Sequence, residues 1–134
     1  MTLILGKICD DGVILAGDSK AYDNINPATY DNQKVFEIGR NKAVAFAGKN
    51  IFGKSTASAI AGSALSLLKH KDIELRLLAE ALKEVAASHM YTDETRIGLL
   101  LADSEELYAI DVSPTEWRIW LQKKTRWQQW VLMT

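Results

Sequence analysis

The sequence predicts an α+β fold built on antiparallel sheets. Three observations carry this: β-prone apolar runs come in adjacent pairs joined by short turn signals, two helical periodicities stand together between the second and third pairs, and the strand–helix alternation of a parallel sheet is missing. The expected order is four strands, two helices and two strands.

The first run, TLILGKIC (Thr2–Cys9), is followed by the turn signal Asp10-Asp11-Gly12 and a second run, VILAGDS, which together read as a hairpin. A polar loop from Tyr22 to Gln33, containing Pro27, leads to KVFEIG and AVAFAG, joined by the turn-rich RNK. These form a second expected hairpin ending at Gly48. From Asn50 to His70, Phe52, Ile60, Ala61, Ala64, Leu65 and Leu68 recur at helical spacing, and Ala57, Ala59, Gly62 and Ser63 keep that helix thin enough to lie close on a sheet. A second helix is predicted from Asp72 to the neighbourhood of Met90. Ile73, Leu77, Leu78, Ala81, Leu82 and Val85 fall on its apolar face, and Asp72 and Glu74 sit near its positive N-terminal end. RIGLLLAD, the turn Ser104-Glu105-Glu106 and LYAIDV complete a third hairpin.

A chain of 134 residues, 48% hydrophobic, is sufficient for one domain with a substantial core. Its formal net charge of −1 provides no general attraction to nucleic acid or an anionic membrane, and neither is an expected partner. The one cysteine, Cys9, rules out an internal disulfide framework and reads as a small buried hydrophobe in a reducing compartment. No apolar run approaches the ~20 residues needed to span a bilayer, and MTLILGKICDDG lacks the charged start and long apolar region of a signal peptide. The expectation is a cytoplasmic protein. His70 and His89, single histidines near helix C-termini, suit a helix-dipole or capping role better than metal binding, and Asp103, Glu105 and Glu106 read as a solvated turn.

One motif pulls elsewhere. Gly48, Gly53, Lys54 and Ser55 match G-x-x-x-x-G-K-S between an apolar strand and a helical run, and LLLAD (Leu99–Asp103) resembles the acid-ended strand of magnesium-nucleotide sites. A P-loop nucleotide binder is therefore an alternative. Such domains, however, place the loop after the first strand of a parallel sheet, whereas here it follows the fourth strand of two hairpins.

Three residues suggest different chemistry: Thr2, which becomes N-terminal if Met1 is removed, Asp18 at the end of one apolar strand, and Lys34 at the start of another. An N-terminal threonine carries its own base, because an α-amino group has a reference pKa of about 7.7–8.0 and can accept the hydroxyl proton near neutral pH. A lysine beside that hydroxyl would favour its ionisation, and an aspartate would keep the lysine charged and in place.

TLILGKICDDGVILAGDSKAY followed by QKVFEIGRNKAVAFAG closely resembles proteasome β subunits and HslV-type peptidases, which are N-terminal nucleophile (Ntn) hydrolases. The resemblance runs from Thr2 to about Val112 and includes GLLLADSEELYAID. It implies an αββα sandwich of two antiparallel sheets and flanking helices, with Thr2 as nucleophile, Lys34 as its activating cation, Asp18 as the lysine's partner and the Gly48 amide as oxyanion donor. It also implies that Ala21, Tyr22 and Asn50 line the cleft or bond an extended peptide, and that Lys54 lies near the pocket for the side chain preceding the cleaved bond. The implied activity is hydrolysis of peptides or unfolded proteins by a threonine endopeptidase, in a homo-oligomeric ring with an ATP-dependent unfoldase as partner and with no metal or organic cofactor. A catalytically inactive structural subunit of the same family is the other alternative.

The family pattern covers residues 1–112 as an Ntn-type domain and stops at 113–134, so the C-terminal half is expected to be incomplete. The family's glycine-serine-glycine segment, with the serine and aspartate–serine pair that follow, cannot be located. TEWRIWLQKKTRWQQWVLMT instead holds all four tryptophans with Arg118, Lys123, Lys124 and Arg126. Three readings stand open: a basic aromatic binding element, a next strand followed by a helix or frayed end, and a truncated or frame-shifted terminus. A half-built second layer would expose apolar surface and favour self-association.

Overall fold

The computed structural model describes residues 3–21, 30–31, 33–48, 56–69, 72–88, 97–113, 118–124 and 129–133. In chain order they form β1 (Leu3–Cys9), β2 (Gly12–Gly17), β3 (Lys20–Ala21), β4 (Tyr30–Asp31), β5 (Val35–Gly39), β6 (Lys42–Gly48), α1 (Thr56–Leu68), α2 (Leu75–Ser88), β7 (Ile97–Ala102), β8 (Leu107–Ser113), β9 (Arg118–Lys124) and β10 (Gln129–Met133). A five-stranded sheet runs β5-β6-β7-β8-β9, a three-stranded sheet runs β10-β1-β2, and β3-β4 is a short separate ladder. All the pairings are antiparallel.

Local chemistry fixes the three hairpins. β1 and β2 close at Cys9 opposite Gly12, leaving Asp10 and Asp11 as the turn. Between β5 and β6 the chain bends at Arg40 and Asn41; Asn41 has φ 58, a left-handed conformation that asparagine tolerates better than most side chains. Gly39 beside it has φ 155, and a Cβ there would lie 3.0 Å from Leu68 Cδ1 of α1. In the β7–β8 turn, Asp103 Oδ1 accepts hydrogen bonds from the Glu105 and Glu106 amides at 2.8 and 2.7 Å. The Asp103 amide in turn donates to the Glu106 carbonyl at 3.1 Å. Asp103 thus organises the turn through its own side chain, a structural task within the acidic cluster.

Period-two alternation gives the five-stranded sheet two working faces. Val44, Phe46, Leu99, Leu101, Tyr108 and Ile110 meet Ile60, Ala61 and Ala64 of α1 and Leu75, Leu78, Ala79, Leu82 and Ala86 of α2. Ala45, Ala47, Leu100, Ala102, Leu107 and Ala109 meet Ile4 of β1 on the other face. Each fully buried large aliphatic or aromatic side chain contributes about 1.5–3 kcal/mol.

The helix faces differ from the sequence expectation. Leu77 is 50% exposed and Leu65 49%, whereas Leu75 is buried. Leu75, Leu77 and Leu78 in near succession offer two helical registers, and the sheet takes the one in which Ala79 and Ala86 let the helix approach closely. α2 starts at Leu75 rather than Asp72: the Glu74 carbonyl accepts the Leu78 amide at 3.0 Å, and the exposed Asp72 carboxylate takes Lys42 Nζ at 2.8 Å. That hydrogen bond and the lysine charge hold Asp72 below its ordinary pKa.

Two further differences concern strands. Tyr30–Asp31, placed in the expected loop, pairs with Lys20–Ala21, because backbone pairing is indifferent to how polar the side chains are. β10 is a strand where a helix or frayed end was one expectation, and it pairs with β1 from Leu3 opposite Met133 to Lys7 opposite Gln129. β9 extends the five-stranded sheet beside β8. Both described helices pack on the five-stranded sheet. In the three-stranded sheet Leu3 is 41% and Ile14 53% exposed.

Candidate active site

The site forms where the ends of two hairpins from different sheets meet. The β1–β2 register runs out to Ile4 opposite Gly17, so Leu3 faces Asp18 just beyond β2. The Asp18 amide donates to the Leu3 carbonyl at 3.1 Å, and the Leu3 amide donates to Asp18 Oδ2 at 2.6 Å. Lys34 lies immediately before β5, and its carbonyl accepts the Phe46 amide of β6 at 2.8 Å. Its ammonium reaches across to the other sheet and donates to Asp18 Oδ1.

Lys34 is the charged side chain in the buried class among the described residues, with its side chain 3% exposed against 33% for Asp18. An ammonium so enclosed is costly unless a counter-charge accompanies it. Asp18 supplies that charge from the side still open to water. The sheets are close at this end: a Cβ on Gly17 would lie 3.3 Å from Ile4 Cγ2 and 3.5 Å from Val35 Cγ2. A fixed cation therefore stands by the start of β1, the residue after position 2.

Of the residues expected to act, Asp18 and Lys34 are brought together. Gly48 is the last residue of β6, opposite Ile97, and Ala21 lies in β3 opposite Tyr30. Thr2, Tyr22, Asn50 and Lys54 lie outside the described residues, as do Gly53, Ser55, His70 and His89. β6, which leads to the Gly48 motif, belongs to an antiparallel sheet, unlike the parallel sheet of a P-loop domain. No group of three or more His, Cys, Asp or Glu among the described residues is placed to hold a metal ion, and no described helix is long and apolar enough to cross a membrane.

The Leu3 amide is the group at this junction that residue-type reasoning misses. A signal for it exists: counting outward from a two-residue turn at Asp10-Asp11 puts Leu3 opposite Asp18.

The fold is that of an Ntn-like α+β protein. Among matching solved structures, Anbu (ancestral beta-subunit) from Yersinia bercovieri superposes with a TM-score of 0.61 over 99% of this chain, at 14% identity, a likeness of fold. This chain spans 60% of that one. No curated protein matches the sequence. The model of the proteasome subunit family matches residues 2–113, and the chain belongs to that family.

Proposed function

We propose that the protein is a threonine-type endopeptidase subunit that cleaves peptide bonds with Thr2 as nucleophile after Met1 is removed. The observation that carries this is the buried Lys34 ammonium, paired to Asp18 beside the residue that follows Thr2. A permanent positive charge there lowers the cost of ionising the threonine hydroxyl and of releasing a proton from the adjacent amine. The free α-amino group takes the hydroxyl proton as the threonine oxygen bonds to the peptide carbonyl, and the Gly48 amide donates to the developing oxyanion. The C–N bond then breaks with that proton passing to the departing amine, and water hydrolyses the acyl ester to release the acid and restore the hydroxyl. The family resemblance assigns Ala21, Tyr22 and Asn50 to holding the substrate as an added strand and Lys54 to the pocket before the cleaved bond. The mechanism needs no metal or organic cofactor.

Family membership supports an oligomeric ring as the working form; in this reading the ring is homo-oligomeric, cytoplasmic and fed unfolded chains by an ATP-dependent unfoldase. The test is intact mass after incubation with a threonine-directed peptide electrophile: one adduct on Thr2 is expected, and its absence from protein lacking Met1 defeats the reading. A non-catalytic subunit is the second reading, favoured because the family's glycine-serine segment is not found after Ser113. It predicts ring assembly with no adduct. Lys54→Ala separates the peptidase from a nucleotide binder, since it should spare labelling and alter peptide preference, whereas loss of micromolar ATP binding in that variant would restore the P-loop.

A further inference from the structure

The geometry points to a second task for Asp18: we infer that it is a positioning residue for the nucleophile, acting through the Leu3 amide, separately from its pairing with Lys34. This rests on the reading of Thr2 as nucleophile. The two oxygens of the carboxylate are divided between two donors, Oδ1 to the Lys34 ammonium and Oδ2 to the Leu3 amide at 2.6 Å. In a continued antiparallel ladder, Leu3 and Asp18 would exchange both main-chain hydrogen bonds. Here the Asp18 amide still donates to the Leu3 carbonyl at 3.1 Å, while the Leu3 amide goes to the side chain.

The substitution has a mechanical consequence. Both main-chain groups of Leu3 are held by one residue, so the chain leaves Leu3 toward position 2 from an N–H that is itself held. The same carboxylate fixes the cation. The Leu3 amide and the Lys34 ammonium therefore share one reference point at the sheet junction, and a displacement of one strand end moves both. A hydrogen bond to an ionised acceptor is also stronger than the main-chain bond it replaces.

Deleting one donor without touching any side chain tests this. Cys9, the single cysteine, permits ligation of a synthetic Thr2–Ile8 segment to the remainder of the chain, and an ester in place of the amide between Thr2 and Leu3 removes the Leu3 N–H alone. Against a ligated all-amide reference, the ester chain should react with the peptide electrophile at a maximal rate at least tenfold lower, with the half-saturating concentration unchanged. An unchanged maximal rate in the ester chain overturns the inference.

A chemistry-independent measurement covers the case in which the variant fails to fold or the reference fails to react. In the unmodified protein, amide hydrogen exchange at Leu3 should be slow, and a through-hydrogen-bond coupling should link the Leu3 nitrogen to the Asp18 carboxyl carbon. Asp18→Asn, if folded as judged by unchanged exchange at Leu5 and Lys7, should lose that coupling or accelerate Leu3 exchange at least tenfold. Absence of the coupling from the unmodified protein overturns the clamp, whatever Thr2 does. A clamp present in a reference chain that never reacts overturns the nucleophile reading and the positioning role with it.

Discussion

Among the described side chains, the five-stranded sheet presents Val44, Phe46, Leu99, Leu101, Tyr108 and Ile110 against the helices, whereas against the three-stranded sheet it presents Ala45, Ala47, Ala102 and Ala109 with Leu100 and Leu107. The first layer is thick and holds most of the buried volume among the described residues. The second is thin, and Gly6 of β1 keeps it so: a Cβ there would come within 3.0 Å of both δ carbons of Leu107 and 3.2 Å of Leu100 Cδ1. The difference assigns stability mainly to the helical side and geometry to the inter-sheet side. Lys34 leads into β5 of one sheet and Asp18 follows β2 of the other, and only a thin layer lets a lysine side chain bridge them.

The largest effect should come from removing that bridge. Lys34→Ala is expected to lower Thr2 labelling by roughly a hundredfold to ten-thousandfold, the range for losing a group that assists proton transfer. Mass spectrometry of a labelling time course reads this directly, and a labelling rate equal to the parent's would separate the buried pair from function.

On the thick side, Phe46→Ala should cost about 3–5 kcal/mol, because the ring is 2% exposed within the helix-facing cluster. Urea unfolding would show it as a lower midpoint. A cost below about 1 kcal/mol would mean that this layer relaxes around the lost ring and is not the main store of stability.

Gly6→Val probes the thin side. The added methyls meet Leu107 and Leu100, and overpacking of this kind costs about 1–3 kcal/mol. The sharper expectation is functional: labelling should fall out of proportion to the stability lost, since the junction opens. Labelling that stays at the parent rate in a folded variant would break the link between layer thickness and site geometry.

The smallest effect at neutral pH belongs to Tyr108, whose hydroxyl donates to Glu106 Oε2 at 3.0 Å from the thick layer. Tyr108→Phe should cost about 1 kcal/mol there. Burial, with the Glu106 hydrogen bond and charge, raises the Tyr108 pKa from 10.0 to about 12. The folded state thus keeps a proton that the unfolded chain gives up. Stability from this source is complete below pH 10 and falls as pH rises to about 12. Thermal melts of parent and variant across that interval should converge, and parallel curves would contradict the assignment.

By itself the sequence determined the parts whose causes are local. Alternating apolar residues and the turns at Asp10-Asp11 and Arg40-Asn41 specify the first two hairpins, LLLAD-SEE-LYAID specifies the third, and helical periodicity specifies that α1 and α2 exist. Asp18 and Lys34 were legible because each is a charge at the end of an apolar strand, and because the family resemblance pairs them. The tertiary structure decided what depends on two distant segments meeting. It chose Leu75 over Leu77 for the buried face of α2, since an amphipathic helix with two apolar registers is resolved only by the surface it packs on. It placed β10 beside β1, a pairing across more than a hundred residues that no local propensity encodes. It also gave the Leu3 amide to the Asp18 carboxylate rather than to the Asp18 carbonyl. Backbone groups are alike at every position, so which acceptor one of them takes is set by the approach of the chains in space.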